Sequence, residues 1–200
     1  MKPLFASISI LLAFIARGES LSCELCMNLN GTTCSGNQTV CEGNATRCDN
    51  TYLEFTYENE TTSMAFKGCA VDQKCSNYFL SESIGDFQFR MQKNYCENDN
   101  CNTRDLIVPP KNNTPNGVRC PICYAENATT CQANGTMECT GPETKCMDFA
   151  GKIRKFDKIM TVATKNCVNE APCKEPIMHC SDGPTVEITH FHCSDGEKDS

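Results

Sequence analysis

Cysteine is the residue type that could carry chemistry in this chain, since 18 of its 200 residues are Cys. Two pairs, Cys23 with Cys26 and Cys120 with Cys123, have the two-residue spacing of a zinc-binding or redox-active dithiol. In an exported protein the same spacing is typical of structural disulfides, because that compartment is oxidising. Whether the chain is exported therefore decides which chemistry its cysteines can do.

The first 20 residues have the pattern of a secretory signal peptide. Lys2 precedes an uncharged apolar run from Leu4 to Ala16, and the small residues Gly18 and Ser20 stand before a cleavage point after Ser20. The run is too short to cross a bilayer, and no later apolar segment reaches the roughly 18 residues that a membrane span needs. We therefore expect a secreted, extracellular protein with no membrane anchor, whose cysteines are joined in disulfides.

Histidine offers the other candidate metal ligand. The chain has three, His179, His190 and His192, and the last two would project from one face of a strand beside Cys193. We expect no metal site there, because this cysteine would be oxidised and histidines near a terminus are commonly exposed. A Gly-x-Ser-x-Gly nucleophile motif and a glycine-rich phosphate loop are both absent from the sequence. The expectation is a binding protein without a cofactor, not an enzyme.

The charge of the chain restricts its partners. Eighteen Lys and Arg stand against 25 Asp and Glu, which gives a formal net charge of −7, and the sequence has no extended basic run. Nucleic acids and anionic lipids bind clustered cations, so we expect neither as a partner. One local basic cluster, Lys152, Arg154, Lys155 and Lys158, is the candidate contact surface for a protein partner. The alternative for this cluster is a solvated hairpin face.

The cysteines repeat along the chain. Seven consecutive cysteines from Cys120 to Cys173 are spaced almost as those from Cys23 to Cys75, at an offset of 97 or 98 residues, which indicates a duplicated module. Residues 107–117 contain three prolines and no cysteine, as is typical of an extended, semi-rigid linker. The expected organisation is a signal peptide at 1–20, a first module at 21–103, a linker at 104–117 and a second module at 118–200.

The long gaps between cysteines must hold the secondary structure that positions them. Residues 51–57 alternate apolar and polar side chains before a polar turn at 58–60, which predicts a β-hairpin. The same pattern, less regular, occurs at 147–166, and Phe87 and Phe89 alternate with polar residues in a third gap. No stretch has sustained helical periodicity. The predicted fold class is all-β and disulfide-rich, with two tandem modules of two or three hairpins each.

The Cys-x2-Cys start, the hairpin after the fifth cysteine and the ending Cys96-Glu-Asn-Asp-Asn-Cys101-Asn102 resemble the urokinase-receptor-type (LU) three-finger domain. The resemblance implies a connectivity, which spacing alone could not select. In the first copy it pairs Cys23 with Cys48, Cys26 with Cys34, Cys41 with Cys69 and Cys96 with Cys101. In the second copy it pairs Cys120 with Cys146, Cys123 with Cys131 and Cys139 with Cys167.

Both copies depart from the family pattern, and each has an odd number of cysteines. Tyr95 stands where the family has its eighth cysteine, so Cys75 lacks its usual partner, whereas Cys193 falls at that position in the second copy and can pair with Cys173. Cys180 is then left over. Our hypothesis is a bridge between the modules from Cys75 to Cys180. The alternative is a local bond from Cys173 to Cys180, with Cys75 bonded to Cys193.

Two such modules in tandem resemble two families: the sodefrin precursor-like factors of salamander courtship glands and the gamma-type phospholipase A2 inhibitors of reptile plasma. Residues 114–121 and 138–151 resemble both. The second copy keeps Cys123 and Cys131, which the inhibitors tend to lack, and the first has lost a cysteine that they tend to keep. These features favour a courtship-pheromone-type signalling protein that binds a protein receptor. A soluble inhibitor of secreted phospholipase A2 is the alternative.

The sequence also has seven Asn-x-Ser/Thr acceptor sites for N-linked glycans. They are Asn30, Asn37, Asn44, Asn59, Asn112, Asn127 and Asn134. We expect glycans at some of these sites on an exported chain, and a few unused sites among Asn30, Asn37 and Asn44, which crowd the disulfide-bonded cysteines. Four of the seven sites lie in the first module, where glycans would shield its surface. We therefore place the protein-binding surface on the central hairpin of the second module, which carries the basic cluster.

Overall fold

The computed structural model of the chain describes residues 20–71, 75–155, 158–174, 180 and 185–198, with the side chains of Lys155 and Lys198 excepted. The expected signal peptide, apart from its last residue, lies outside these ranges, as does His179. Among the described residues, no helix is both long enough and apolar enough to cross a membrane.

The first module is built from three antiparallel hairpins. Its strands are β1 (Ser22–Asn28), β2 (Asn37–Val40), β3 (Arg47–Tyr57), β4 (Glu60–Ala70), β5 (Tyr78–Ile84) and β6 (Phe87–Cys96), followed by a 3-10 turn at Cys101–Thr103. The pairs β1–β2, β3–β4 and β5–β6 form the three fingers. Glu58 and Asn59, which join β3 to β4, both have positive φ (48° and 68°), as a tight two-residue hairpin turn requires.

Among its described residues, the second module has two hairpins, one long strand of a third finger and a short strand after it. Its elements are β7 (Pro115–Glu126), β8 (Gly135–Thr140), β9 (Lys145–Lys155), β10 (Lys158–Val168), a helical turn α1 (Ala171–Lys174), β11 (Thr185–Asp195) and β12 (Glu197–Lys198). β7 pairs with β8, β9 with β10, and β11 lies along the outer edge of β9. The all-β, disulfide-rich fold class expected from the sequence is confirmed.

One boundary differs from the expectation. Pro115, Asn116 and Gly117 were expected in the linker, but they form the start of β7, where Pro115 pairs with Thr140. Gly117 has a φ of +76° and falls within the register shift of this ladder. The Asn-Gly pair therefore makes an irregularity inside a strand rather than a free turn.

The two modules are continuous with each other in one sheet. Its strands run in the order β11-β9-β10-β5-β6-β3-β4-β1-β2, with β7 also on β10. The junction is between β10 and β5, where Cys167 pairs with Ser83 and Val168 with Glu82. The sequence predicts a semi-rigid linker and a bridge from Cys75 to Cys180 between the modules, so this direct strand pairing is a new feature.

One face of this sheet is apolar and forms a core shared by both modules. Side chains alternate between faces along each strand, so Leu80 of β5 and Val168 of β10 share a face across the junction. The buried core comprises Ala70, Cys75, Tyr78, Leu80, Phe89, Met91, Tyr95, Met147, Phe149, Val162, Val168 and Cys180. Because residues of both modules contribute, their relative position is fixed by packing as well as by strand pairing.

The opposite face of the first module is polar, and residues 104–113 of the linker cross it as a strap. Asn50 donates to the Arg104 carbonyl (2.7 Å) and Lys111 to the Thr56 hydroxyl (2.8 Å), while Arg90 donates to the Pro109 carbonyl. Beneath the strap, Arg90 pairs with Glu54 at 3.0 Å. The linker is thus bound to the first module along its length.

Candidate protein-binding site

All 18 cysteines lie among the described residues, and they form nine disulfides. Seven of the bonds join Cys23 with Cys48, Cys26 with Cys34, Cys41 with Cys69, Cys96 with Cys101, Cys120 with Cys146, Cys123 with Cys131 and Cys139 with Cys167. These are the pairs that the three-finger resemblance implies. With no free thiol, the Cys-x2-Cys pairs supply neither a metal site nor a redox-active dithiol.

The two remaining disulfides involve the cysteines that depart from the family pattern. Cys75 is bonded to Cys180, with their Cα atoms 5.9 Å apart, and Cys173 is bonded to Cys193. The first of these bonds links the two modules covalently and is buried in their shared core. The alternative, a local bond from Cys173 to Cys180, is not the arrangement in the structure.

The histidines do not assemble a metal site in the described part of the chain. His190 and His192 are both exposed on β11, and His190 Nε2 lies 3.7 Å from Asp148 Oδ2. Asp148 is already engaged by Lys165, which would compete with a metal for this carboxylate. The three-ligand groups found among the described residues consist of disulfide-bonded cysteines alone.

The basic cluster of the central finger is divided by the pleat of the sheet. Lys152 and Arg154 lie on one face of β9, and Lys158 lies on the opposite face of β10, beside the position of Lys155. Lys152 Nζ is 2.6 Å from Glu187 Oε2 on β11, so its charge is largely balanced. The side chain of Lys155 lies outside the described residues. The four cations therefore do not form one continuous patch.

The tip of this finger has a smaller group of exposed side chains, two basic and one apolar. We call Arg154, Lys158 and Ile159 the fingertip surface. Arg154 and Ile159 are directly paired across β9 and β10, on the same face. Ile159 is 53% exposed, and both cations are exposed. No ion pair among the described residues involves Arg154 or Lys158. Sequence reasoning found the cations, but not the exposed apolar residue paired with Arg154.

The seven glycan acceptor residues are all exposed: Asn30, Asn37, Asn44, Asn59, Asn112, Asn127 and Asn134. Asn37 pairs with Leu25, so its side chain stands on the face that carries the exposed apolar side chains of Leu25 and Met27 (41% and 64%). Asn127 follows β7, and its backbone N–H donates to the Thr161 carbonyl (2.7 Å) two residues from Ile159. The Asn127 site therefore lies close to the fingertip surface.

Sequence reasoning missed the side chains that hold the modules together. Glu143, in the turn before β9, accepts hydrogen bonds from Ser81 and Ser83 of β5. Asn169 bonds to the backbone of the same strand. Both residues stand within three positions of a cysteine, and nothing in the sequence separates them from ordinary polar surface residues.

Known protein families and proteins match this sequence over most of its length. The u-PAR/Ly-6 domain matches the sequence twice, at residues 19–104 and 116–198. Phospholipase A2 inhibitor LNF2 of Lachesis muta muta is 29% identical over 171 residues, which are 83% of this chain and 82% of that protein. Phospholipase A2 inhibitor CgMIP-I of Cerrophidion godmani has the same identity and coverage.

Among solved structures, the crystal structure of mouse TEX101 is similar with a TM-score of 0.38 and 20% identity, covering 85% of this chain and 94% of that one. The two domain matches span most of the described residues, and each coincides with one module of the sheet. This chain belongs to the u-PAR/Ly-6 domain family, of which it has two tandem copies.

Proposed function

We propose that this protein is a secreted binding protein that inhibits a secreted phospholipase A2 by forming a complex with it. The observation that carries the proposal is the extent of the similarity. Proteins named as phospholipase A2 inhibitors match 83% of this chain and 82% of their own length, so the likeness covers both modules and the junction between them. A shared single module would give much weaker support, because one fold serves many functions.

The courtship-pheromone hypothesis is second to this one. It rested on which cysteines the two copies keep, and the relatives found by comparison include several inhibitors but support no pheromone role. A pheromone-type role with a protein receptor stays a prediction. Both hypotheses share a mode of action, which is protein binding without catalysis.

The fingertip surface suits an enzyme partner with an acidic patch. The chain as a whole is acidic, with a formal net charge of −7, whereas the fingertip presents Arg154 beside the exposed Ile159 on one face and Lys158 on the other. An exposed apolar residue beside a charged one is typical of the boundary between the centre and the rim of a protein interface. Opposite charges across such a rim mainly raise the association rate.

Glycans at the acceptor sites would direct a partner toward this fingertip. A glycan at Asn37 would cover the apolar face of the first finger, where Leu25 and Met27 are exposed. A glycan at Asn127 would border the β10 edge of the central finger and leave Arg154, on β9, accessible. We therefore propose that the phospholipase approaches from the β9 side.

The test is titration of the glycosylated protein into a secreted phospholipase A2 acting on phospholipid vesicles. We expect hydrolysis to fall in proportion to added protein and to stop near a fixed molar ratio. The same titration with a water-soluble monomeric substrate separates enzyme binding from vesicle binding, because a protein that coats the vesicle inhibits only the first reaction. Unchanged hydrolysis across phospholipases from several structural groups would refute the proposal.

A further inference from the structure

The junction between the modules is held by a set of buried polar side chains. Asn169, just after β10, continues the ladder onto β5: its backbone N–H donates to the Ser81 carbonyl (2.9 Å), and its Oδ1 accepts from the Ser81 N–H (3.0 Å). Its Nδ2 also donates to the Phe79 carbonyl (2.7 Å). These bonds lie within the protein interior, so each buried polar group there needs a partner.

Two carboxyl groups meet at this junction, one from each module. Glu143 is 3% exposed and accepts hydrogen bonds from the hydroxyl groups of Ser81 (2.8 Å) and Ser83. Glu82 projects from the opposite face of β5, on the side of the apolar core, where its register partner on β10 is Val168. Glu82 is only partly exposed, so a carboxylate there loses part of the solvation that favours its charged form.

The side-chain amide of Asn166 indicates the protonation state of Glu82. Asn166 is 2% exposed, and its Nδ2 donates to Glu82 Oε2 at 3.3 Å. Its Oδ1 is buried and has no hydrogen-bond partner among the described residues. An ionised Glu82 can only accept hydrogen bonds, so it cannot satisfy this oxygen, whereas a protonated carboxyl group has one O–H to donate.

We propose that Glu82 is protonated in the docked protein and forms an acid–amide pair with Asn166 that joins the two modules. The amide N–H donates to one carboxyl oxygen, and the O–H of the other donates to Asn166 Oδ1. The pair removes the unsatisfied oxygen and leaves no net charge beside the core. The junction is therefore complete only when this proton is bound, which makes docking of the modules sensitive to pH.

The charges that face Glu82 support this assignment. Burial, opposed by the Asn166 hydrogen bond and reinforced by Glu143, raises the pKa of Glu82 to about 7. The pKa of Glu143 is also raised by burial, against the hydroxyl groups of Ser83 and Ser81 and the charge of Arg90 on β6. α1 also packs on β5, but its exposed Lys174 is paired with Glu170 (2.9 Å). Among the described residues, no cation is placed to stabilise an ionised Glu82.

The direction of the pH effect follows from the raised pKa. The docked state binds the proton more tightly than the opened state, in which Glu82 has its ordinary pKa of 4.5. Docking is therefore strongest below about pH 4.5, weakens as the pH rises toward 7, and levels off above that. Cys75 and Cys180 keep the modules joined throughout, so the change is local opening of the junction rather than separation.

Hydrogen exchange of the junction amides between pH 5 and 8, corrected for intrinsic exchange, tests the proposal. For the wild type we expect the opening equilibrium constant at Ser81 and Asn169 to rise on the order of 50-fold across this range, given the two pKa values. Glu82→Gln mimics the protonated acid in shape and charge, so its opening should be nearly independent of pH. Glu187→Gln, which neutralises an exposed acid far from the junction, should keep the wild-type response.

Equal pH dependence in the wild type and Glu82→Gln would overturn the proposal. Infrared spectroscopy with isotope-edited Glu gives a second reading. A protonated-carboxyl band that persists at pH 6 in the wild type and is absent from Glu82→Gln supports the assignment, because a band from Glu143, whose pKa is also raised, would remain in that variant. Loss of every such band above about pH 5, the range of ordinary carboxylates, would show that Glu82 is ionised. Neither readout involves a phospholipase, so the outcome is separate from that of the proposed function.

Discussion

The buried cations Lys67, Arg90 and Lys93 of the first module each pair with a carboxylate. The Lys67 ammonium is 3.0 Å from Glu24 Oε2 and 3.0 Å from the Thr103 carbonyl, and the residue is only 4% exposed. Burial raises the pKa of Glu24, but the Gly36 N–H and Lys67 outweigh it, and the net pKa lies below the ordinary value. Glu24 is therefore ionised, and its stabilising contribution is lost only as the pH falls through its lowered pKa.

Replacing Lys67 with Met should destabilise the first module by about 3–5 kcal/mol, because it leaves the Glu24 carboxylate buried without a counter-charge. Lys174→Met removes an exposed cation from its pair with Glu170 and should cost less than about 0.5 kcal/mol. Denaturant unfolding of the two variants provides the measurement. Equal losses of stability would mean that the Lys67 pair is no more important than a surface pair.

The contribution of Arg154 and Lys158 to binding can be tested by substitution. Arg154→Ser combined with Lys158→Ser should slow association with a phospholipase several-fold at low ionic strength and reduce the salt dependence of the rate. Thermal stability should not change, since both side chains are exposed and make no ion pair among the described residues. Lys152 is left in place, because its pair with Glu187 is part of the sheet.

The matched control changes two exposed cations elsewhere, Arg104→Ser with Lys174→Ser, and so alters the net charge equally. If both double variants slow association to the same extent, the effect comes from net charge. The fingertip would then be a solvated hairpin face rather than the contact surface.

Among the elements, the strap formed by residues 104–113 departs most from its expected behaviour. A proline-rich linker predicts an extended spacer, yet this one donates or accepts hydrogen bonds with Asn50, Thr56 and Arg90 of the first module. An ordered strap has a defined backbone in the folded state. Its prolines then contribute to stability by reducing the entropy of the unfolded chain.

Replacing Pro109 and Pro110 with Ala should therefore lower the stability of the protein by about 0.4–1 kcal/mol per residue. Ile107→Ala, at a neighbouring position that is 92% exposed, should have little effect. Calorimetric unfolding at fixed pH measures both. No loss of stability in the double proline variant would show that the linker is a free spacer in solution.

The sequence predicts an element when the residues that specify it are close together in the chain. The β3–β4 hairpin was predictable because residues 51–57 alternate and a polar turn follows within the same short segment. The pairing of β10 with β5 was not, because it joins Val168 to Glu82 across the whole linker and places an acid where an apolar residue is the normal expectation. The resemblance implied the disulfides within modules, whereas the strap depends on backbone carbonyls that no side-chain pattern reveals.

At the scale of the whole molecule, three independent features make the two modules one body. They share a sheet through β5 and β10, a buried apolar core, and the bond between Cys75 and Cys180. A partner that contacts the protein need not order one module against the other. Such preorganisation lowers the entropic cost of binding, which is consistent with the proposed role of this chain as a binding protein.

Binding of a secreted phospholipase A2 can be measured by isothermal titration calorimetry of the two purified proteins. We expect saturable binding at a fixed molar ratio, with a negative heat-capacity change from the apolar surface buried in the complex. We also expect weaker binding for the Arg154→Ser and Lys158→Ser double variant than for its charge-matched control. No heat of binding and no complex in gel filtration at micromolar concentrations, with phospholipases of several structural groups, would refute the proposed function.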